Sequence, residues 1–474
     1  MSQHVLSAAA PVAAERPQAR WLLLPVLLAA PFLAVVDGFI VTIAAPALQE
    51  QLGASDAGVQ LVVAGYVATY AACLITGGRL GDVYGHRRLL VVGLIVFSLC
   101  SLLGAVAPDQ RVLVLARCLQ GAGAALMYPQ SLALIKAHFQ GPDLRAALAA
   151  FGVALGLASV AAQLAGGLLV QADVLGLGWR AVLLVNVPLG IAAAALVLGT
   201  VPASRGRVGA RIDLAGAGVL AAALFALVLP LTIGRDLGWP VWTWPALAGA
   251  AAAGLVFVLH QRRLTGRGLA PLVPLALLRL RPFAVGLLTT LVLYTGQISL
   301  FLLLTLYLQR GLGLSPLRTG LTFTPLAVGF FAASVTAPRL SRRSGAPLLS
   351  AGSLVLLAGA TGLSVLALSG AGDALWLPRM LVLIAVGVGF GLVIPTLVGV
   401  VLAVVPADQE GGAAGVLVTT QQVAGAIGVA LSGLLFFGVL TRAPYATAFA
   451  MALGLQIVVF AATALLARGL REAR

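Results

Sequence analysis

The sequence predicts an all-α polytopic membrane protein with fourteen transmembrane helices, from its composition and from the length of its apolar runs. Hydrophobic residues make up 61% of the 474-residue chain and charged residues 9%, whereas soluble domains contain roughly 25% charged residues. The apolar runs are continuous and long enough to cross a hydrocarbon core of about 30 Å as helices. Strands of a membrane barrel would instead alternate apolar and polar residues. The pattern therefore excludes a soluble protein and a barrel.

Charged or Pro/Gly-rich breaks separate the apolar runs and define the predicted spans. In chain order the spans cover residues 22–45, 58–78, 88–107, 112–136, 145–170, 180–200, 212–233, 245–260, 282–308, 318–338, 346–368, 375–404, 411–438 and 445–468. The breaks after the second and tenth spans are similar, reading GGRLGDVYGHRRLL and APRLSRRSGAPLL. This similarity indicates an internal repeat of six spans, a common plan among secondary transporters.

The repeat divides the chain into two related halves with an insertion between them. The predicted parts are a cytoplasmic disordered tail (1–20), an N-terminal six-helix bundle (21–201), a linker with two additional transmembrane helices (202–281), a C-terminal six-helix bundle (282–468) and a cytoplasmic tail (469–474).

Arginine is concentrated on one side of the predicted spans, as at Arg79, Arg87 and Arg262, and is sparse on the other, as at Arg111 and Arg310. The positive-inside rule places the Arg-rich side, with both termini, in the cytoplasm. The net charge of +15 therefore sets orientation and does not indicate nucleic-acid binding. A single lysine in the chain indicates a GC-rich bacterial coding sequence, so we expect a bacterial cytoplasmic (plasma) membrane protein.

Asp37 is the one charged residue inside the first predicted span. A carboxylate in hydrocarbon is costly unless it is protonated, paired or facing water, so the residue is a candidate for a group that changes protonation. The alternative is a structural polar residue satisfied by neighbouring helices. Arg117 lies in the fourth span at a similar depth below the predicted outer surface, so the two charges can interact if their helices are neighbours.

The break after the second span resembles the loop signature of the major facilitator superfamily, because Gly78 to Arg88 reads GRLGDVYGHRR. Arg117-Cys118-Leu119-Gln120-Gly121 resembles the Arg-x-x-Gln-Gly signature of its proton-coupled members. Trp179 to Gly190 resembles the Trp-Arg-x-x-Phe-x-x-Asn-x-Pro-x-Gly run of its fourteen-helix drug:proton antiporter branch, with Leu183 in place of Phe. The fifth span resembles the antiporter signature, although Ala162-Gln163 replaces its usual Gly-Pro and so removes a proline kink.

The resemblance implies the major facilitator fold and roles for particular residues. It implies proton coupling at Asp37 and Arg117. It implies a conformational latch on the cytoplasmic side at Gly78, Asp82, Gly85, Arg87 and Arg88. It implies tight packing between the bundles at Gly152, Gly156, Gly166 and Gly167.

Uncharged polar residues in several spans are candidates for a substrate cavity. They are Gln120, Gln163, Tyr294, Gln297, Gln421 and Gln422. Such a cavity suits a substrate with few formal charges, particularly because no acid lies within the last six predicted spans. The alternative is that these groups form hydrogen bonds between helices.

The predicted function is proton-coupled secondary export of small amphipathic drugs or a secondary metabolite by alternating access. No phosphate-binding loop, metal-ligand spacing or catalytic constellation is present in the sequence, so we expect no enzyme activity and no cofactor. The expected partners are a small-molecule substrate, protons and the lipid bilayer, with the chain acting as a monomer. A facilitator or importer of a neutral metabolite, and a non-transporting membrane sensor, are the alternatives.

Overall fold

A computed structural model of the chain describes residues 17–203, 213–234, 237–269, 271–273, 275–370, 372–405 and 410–470. Within these residues, fourteen helical segments are long and apolar enough to cross a membrane. The all-helical membrane fold and the number of spans are therefore confirmed. Most of the predicted first tail (1–16), part of the linker (204–212) and the end of the last tail (471–474) lie outside the described residues.

The helices follow one another with short connections. The first six spans comprise α1 (Pro17–Ile43), the short α2 (Ala45–Gln51), α3 (Asp56–Tyr84), α4 (His86–Ala105), α5 (Gln110–His138), α6 (Gly141–Ala172), α7 (Arg180–Leu184) and α8 (Asn186–Thr200). The two additional spans are α9 (Leu214–Ile233) and α10 (Thr243–Gly266). The last six comprise α11 (Arg281–Leu306) with a π-helical turn (Tyr307–Gly311), α12 (Pro316–Thr322), α13 (Thr324–Leu368), α14 (Trp376–Leu402), α15 (Glu410–Leu440) and α16 (Tyr445–Gly469).

Side-chain caps explain where several of these helices begin. Ser55 accepts a hydrogen bond from Gly58 N at 3.0 Å and starts α3. Asp109 accepts from Arg111 N at 2.8 Å and starts α5. Such a cap satisfies backbone N–H groups that have no partner within the helix.

The predicted loop after the second span is helical apart from one residue. α3 continues to Tyr84 and α4 begins at His86, while Gly85 between them has φ 94°. Gly77 faces Ala125 on α5 so closely that a Cβ atom would overlap the Ala125 carbonyl. Because Gly77 has no side chain, α3 can pack on α5 beyond the apolar part of its own sequence. Within this segment Gly85 alone adopts the left-handed conformation, and the chain reverses there. The prediction of a loop here was wrong.

The corresponding segment after the tenth span also has a helical backbone, within α13. Residues on either side of it nevertheless contact the same part of α14, since Gly329 lies against Ile384 and Gly359 against Val386. The chain therefore reverses direction near residues 338–344, and α13 supplies two spans, Pro316–Ala337 together with α12 and Gly345–Leu368.

The helices pack mainly within each half of the chain. In the first half α3 and α4 pack on α5 and α1 packs on α6; in the second, α13 packs on α14 and α16, and α11 packs on α15. Contacts between the halves join α3 to α15 and α6 to α12. The additional helix α9 contacts both α3 and α15, where Leu224 packs on Ala71 and Ala72. It therefore lies beside the seam between the halves.

Candidate functional site

Asp37 lies inside α1 and is fully buried. Arg117 on α5 forms an ion pair with it, with Nη1 donating to Oδ2. Gln120 Nε2 and Asn186 Nδ2 both donate to the other oxygen, Oδ1, at 3.0 Å and 2.7 Å. Donors from α5 and α8 therefore hold both oxygens of a carboxylate on α1.

Arg117 is also fully buried and has partners besides the carboxylate. Its Nε donates to Val62 O at 3.2 Å, and Nη1 donates to Gln120 Oε1 at 2.7 Å. Its Cζ lies 4.3 Å from the centre of the Tyr66 ring, a cation–π distance. Because a guanidinium stays charged, it must be matched by acceptors and π faces when it is buried, and this site supplies both.

Asn186 belongs to this network, although the sequence analysis assigned it no role. Its Nδ2 also lies 3.2 Å from Ser101 Oγ, and Ser101 Oγ donates to Leu183 O at 2.8 Å. Ser101 and Asn186 are both buried. The sequence feature that could have identified Asn186 is the Trp179 to Gly190 run, because its asparagine is the first residue of α8.

The hydrogen bonds around Asp37 match an ionised carboxylate. An ionised carboxylate accepts hydrogen bonds on both oxygens, as it does here. When one oxygen is protonated it becomes a donor, and it then faces the donors Arg117, Gln120 or Asn186. Protonation must therefore rearrange the contacts of Asp37 with α5 or α8.

Two of the predicted cavity residues form hydrogen bonds between helices. Gln120 binds Asp37 and Arg117, as described above. Gln163 is buried on α6 and its Nε2 lies 3.3 Å from Thr42 Oγ1 and 3.4 Å from Phe39 O, both on α1. The structure thus places these two amides in contacts between helices of the first half.

The other predicted cavity residues are half-buried, namely Tyr294, Gln297, Gln421 and Gln422. The Oε1 atom of Gln297 is buried and has no hydrogen-bond partner among the described residues. α11 contacts α1 of the first half, and Ile298, next to Gln297, lies with Val67 of α3 against Gly425 of α15. Tyr294 and Gln297, three residues apart on α11, therefore lie near the first half.

A row of aromatic rings runs through the first half and was not predicted. Tyr66 and Tyr70 are 6.0 Å apart between ring centres, Tyr70 and Tyr128 also 6.0 Å, and Tyr128 and Phe151 5.8 Å. The Tyr70 hydroxyl is buried and has no hydrogen-bond partner among the described residues. The row connects the ring that covers Arg117 with α6, and the four-residue spacing of Tyr66 and Tyr70 on one helix was the available signal.

The four glycines predicted to pack between the bundles do not all lie there. A Cβ atom on Gly156 would be 2.6 Å from the Phe330 ring, and one on Gly167 would be 2.5 Å from Pro316 O, both in the second half. Gly166 instead faces Ile40 and Ile43 of α1.

Gly152, near the other end of α6, has nothing within 4 Å of such an atom. The structure thus places Gly156 and Gly167 between the halves, but neither Gly166 nor Gly152. Gly166 departs from the prediction because its face of α6 packs on α1, and Gly152 because it is exposed and its open side meets no described residue.

The charged residues of the predicted latch have different partners in the described part of the chain. In the described part of the chain, the ion pair of Asp82 is with His86 at 3.7 Å. Arg87 donates to Leu198 O on α8, and Arg88 is exposed. Gly78 would place a Cβ atom 3.7 Å from Pro129, an ordinary contact, and Gly85 forms the turn between α3 and α4.

The halves are joined at the side predicted to be the outer one, after α1 and α11. Gln309 Nε2 donates to Ile43 O at 2.9 Å, and Arg310 Nη2 donates to Pro46 O at 3.0 Å. Arg310 Nη1 also pairs with Glu50 at 3.0 Å. The break between α1 and α2 leaves the Ile43 carbonyl group without a helical partner, and the π-helical turn carries Gln309, which binds it.

A second set of contacts joins α6 to α12 at the same side. Leu317 N donates to Gln171 Oε1 at 3.1 Å. A Cβ atom on Gly320 would lie 2.5 Å from Gln163 O, so the two backbones touch. Together with the contacts of Arg310, these interactions close the predicted outer end.

No group of three or more His, Cys, Asp or Glu side chains that could hold a metal ion occurs among the described residues. The candidate site is therefore built from one carboxylate, one guanidinium, amides and aromatic rings.

Comparisons with known proteins identify the family. The sequence model of the Major Facilitator Superfamily matches residues 27–429. A probable actinorhodin transporter of Streptomyces coelicolor is 39% identical over 89% of this chain and 73% of its own length. The puromycin resistance protein pur8 of Streptomyces alboniger is 36% identical over 87% of this chain and 81% of its own. A tetracenomycin C resistance and export protein of Streptomyces glaucescens is 34% identical over 84% of this chain and 73% of its own.

Solved structures show the same fold at low sequence identity. A D-xylose-proton symporter matches with a TM-score of 0.67 at 14% identity, covering 94% of this chain and 97% of its own. A POT family transporter in complex with a thioalcohol-conjugated peptide matches with a TM-score of 0.68 at 14% identity, covering 94% and 96%. The chain is thus a multi-pass membrane transporter and not an enzyme, and it belongs to the fourteen-helix drug efflux branch of the major facilitator superfamily.

Proposed function

We propose that the protein is a proton-coupled secondary transporter that exports small amphipathic drugs or a secondary metabolite by alternating access. The observation that carries the proposal is the fully buried Asp37, held by Arg117, Gln120 and Asn186 inside the membrane. Burying a carboxylate inside the membrane is costly, so such residues are rare and usually serve a function. The names of the relatives, which include resistance and export proteins, support efflux.

Alternating access here means that residues 21–201 and 282–468 act as two bundles that open in turn to either side. The contacts of Gln309 and Arg310 with the end of α1 close the predicted outer end. Together with the contact of α6 with α12, they support a state that is closed to the outside. Gly78, Asp82, Gly85, Arg87 and Arg88 would then meet the opposite bundle in the other state.

The position of Asp37 on α1 provides a route for coupling. The same helix ends at Ile43, whose carbonyl group accepts the hydrogen bond from Gln309. A proton that enters from the outer side would neutralise Asp37 and weaken its hold on Arg117, so that α1 can shift. A shift of α1 would alter the outer contacts and so the balance between the two open states. Proton and substrate thereby favour opposite conformations.

The substrate we propose is amphipathic, aromatic and of low formal charge. The row from Tyr66 to Phe151 offers ring faces and edges, and the Tyr70 hydroxyl and Gln297 Oε1 are buried without described partners. A bound molecule with hydrogen-bonding groups would satisfy these atoms, because buried polar groups rarely stay unpaired. Tyr294, Gln421 and Gln422 would complete the contacts from the second bundle.

The function is tested by transport in proteoliposomes with an imposed pH gradient. Actinorhodin, puromycin and tetracenomycin C serve as the substrate panel. The lumen of the liposomes is made acidic. Transporter molecules whose cytoplasmic side faces the bath should then carry substrate into the lumen in exchange for luminal protons. A protonophore should abolish this accumulation.

The same assay separates the alternatives. Flux that equilibrates without regard to the gradient would indicate a facilitator. Accumulation that requires an acidic bath would indicate a proton-coupled importer. Either result would overturn the proposed direction or coupling.

A further inference from the structure

A groove lies between the two additional helices, α9 and α10. Its volume is about 220 Å³, and its lining residues are Ala215, Val219, Val256, Leu259, His260 and Arg263. The lining residues repeat at three- and four-residue steps on α10, so they form one stripe along that helix. The groove is therefore a continuous surface with an apolar length and a basic end.

The apolar part faces away from the transporter core. Val256 is 52% exposed and Leu259 43% exposed. In a helix that spans a membrane, such side chains contact lipid chains rather than water. The groove is accordingly open to the bilayer.

The basic end carries a charge that no described residue neutralises. Arg263 is exposed, and its guanidinium makes no ion pair or hydrogen bond within the described part of the chain. The nearby acid, Asp213, is occupied by His260 Nε2 and Gln261 Nε2, each at 2.8 Å. Burial opposes ionisation of Asp213, but the hydrogen bonds from His260, Gly216 N and Gln261 lower the pKa of Asp213 below its ordinary value. The carboxylate is thus committed to His260 and Gln261 and leaves Arg263 unmatched.

We infer that this groove binds an anionic phospholipid, with its phosphate on Arg263 and one acyl chain along Val219, Val256 and Leu259. The basic end lies on the side predicted to be cytoplasmic, and basic pockets between helices on that side suit anionic head groups. A neutral lipid would fill the apolar stripe but leave Arg263 without a counterion, unlike an anionic lipid. Free phosphate would pair with Arg263 but leave the apolar stripe empty.

The test is native mass spectrometry of the purified full-length protein. The protein is incubated with equal amounts of phosphatidylglycerol and phosphatidylcholine that have identical chains. We expect preferential retention of one phosphatidylglycerol. Arg263→Gln should reduce that retention about fivefold, the factor expected for one basic side chain near a membrane surface. Arg262→Gln is the matched control, because it removes the same charge from the neighbouring position outside the groove and should leave retention unchanged.

A second variant tests the apolar part without changing any charge. Val219→Phe would place a ring in the groove and should also reduce retention. If Arg262→Gln and Arg263→Gln lose lipid retention equally, the lipid is attracted by the general positive charge of this region, and the proposed site is wrong. Equal retention of both lipids, or full displacement by inorganic phosphate, would overturn it as well.

Discussion

At the scale of single residues, the chemistry of the protein centres on a carboxylate that is fully surrounded by donors. Asp37 accepts from Arg117 on one oxygen and from Gln120 and Asn186 on the other. Replacing one partner of a buried pair leaves the other group unmatched, so each donor affects how easily the carboxylate takes a proton.

We expect Asn186→Ala to move the pH at which transport is half-maximal upward by about one unit. The substitution removes a hydrogen bond that favours the ionised carboxylate, and such a bond to a charged group is worth about 1.5 kcal/mol. The measurement is the rate of transport in proteoliposomes as a function of pH. Gln456→Ala is the control, since Gln456 is an equally buried amide that binds Ser299 and Ser432. An unchanged midpoint in Asn186→Ala would show that Asn186 does not contact the coupling group.

Some of the residues at the Asp37 site could be predicted from the sequence and others could not. Asp37 and Arg117 stand out because each is a charge inside an apolar span, and depth alone suggested that they could meet. Asn186 and Tyr66 carry no charge, and only the three-dimensional packing of α8 and α3 against α1 and α5 brings them to the site. Uncharged polar side chains occur throughout the spans, so their polarity alone does not separate those at a site from those that bridge helices. For Asn186 the one sequence signal was its place in the Trp179 to Gly190 run.

At the scale of helices, the contact of α6 with α12 determines how tightly the predicted outer end closes. Gly167 lies against the Pro316 carbonyl, and Gly320 lies against the Gln163 carbonyl. These backbone contacts need glycine because any side chain would separate the two helices. The sequence identified a glycine-rich helix but not which glycines face the other half, because α6 packs on α1 as well as on α12.

Gly167→Ala should destabilise the closed outer end, because the added methyl group would lie 2.5 Å from Pro316 O. Overpacking of this kind costs about 1 to 3 kcal/mol, so the melting temperature of the purified protein should fall. Gly152→Ala in the same helix is the matched control. A methyl group there meets nothing within 4 Å, and alanine favours a helix over glycine. Equal melting temperatures for the two variants would contradict the assigned contact.

At the scale of the whole molecule, composition and apolar runs were sufficient to predict the fold class and the fourteen spans. They failed where the helices turn: the segments after the second and tenth spans look like loops because they are polar, yet they are helical. In the first of these segments, Gly77 allows close packing on α5 that extends α3 past its apolar region. The sequence also could not place α9, whose contacts with α3 and α15 set it beside the seam between the halves.

In the proposed mechanism, export by the whole molecule is driven through Asp37. The most direct test compares gradient-driven accumulation with substrate counterflow in the same proteoliposomes, using puromycin as the first probe. Counterflow needs alternating access but no net proton movement, so it reports whether a variant is folded and binds substrate. Asp143→Asn, which changes an exposed acid at the start of α6, is the control. We predict that Asp37→Asn keeps counterflow and loses accumulation, whereas Asp143→Asn keeps both. Accumulation at the wild-type level in Asp37→Asn would contradict the account.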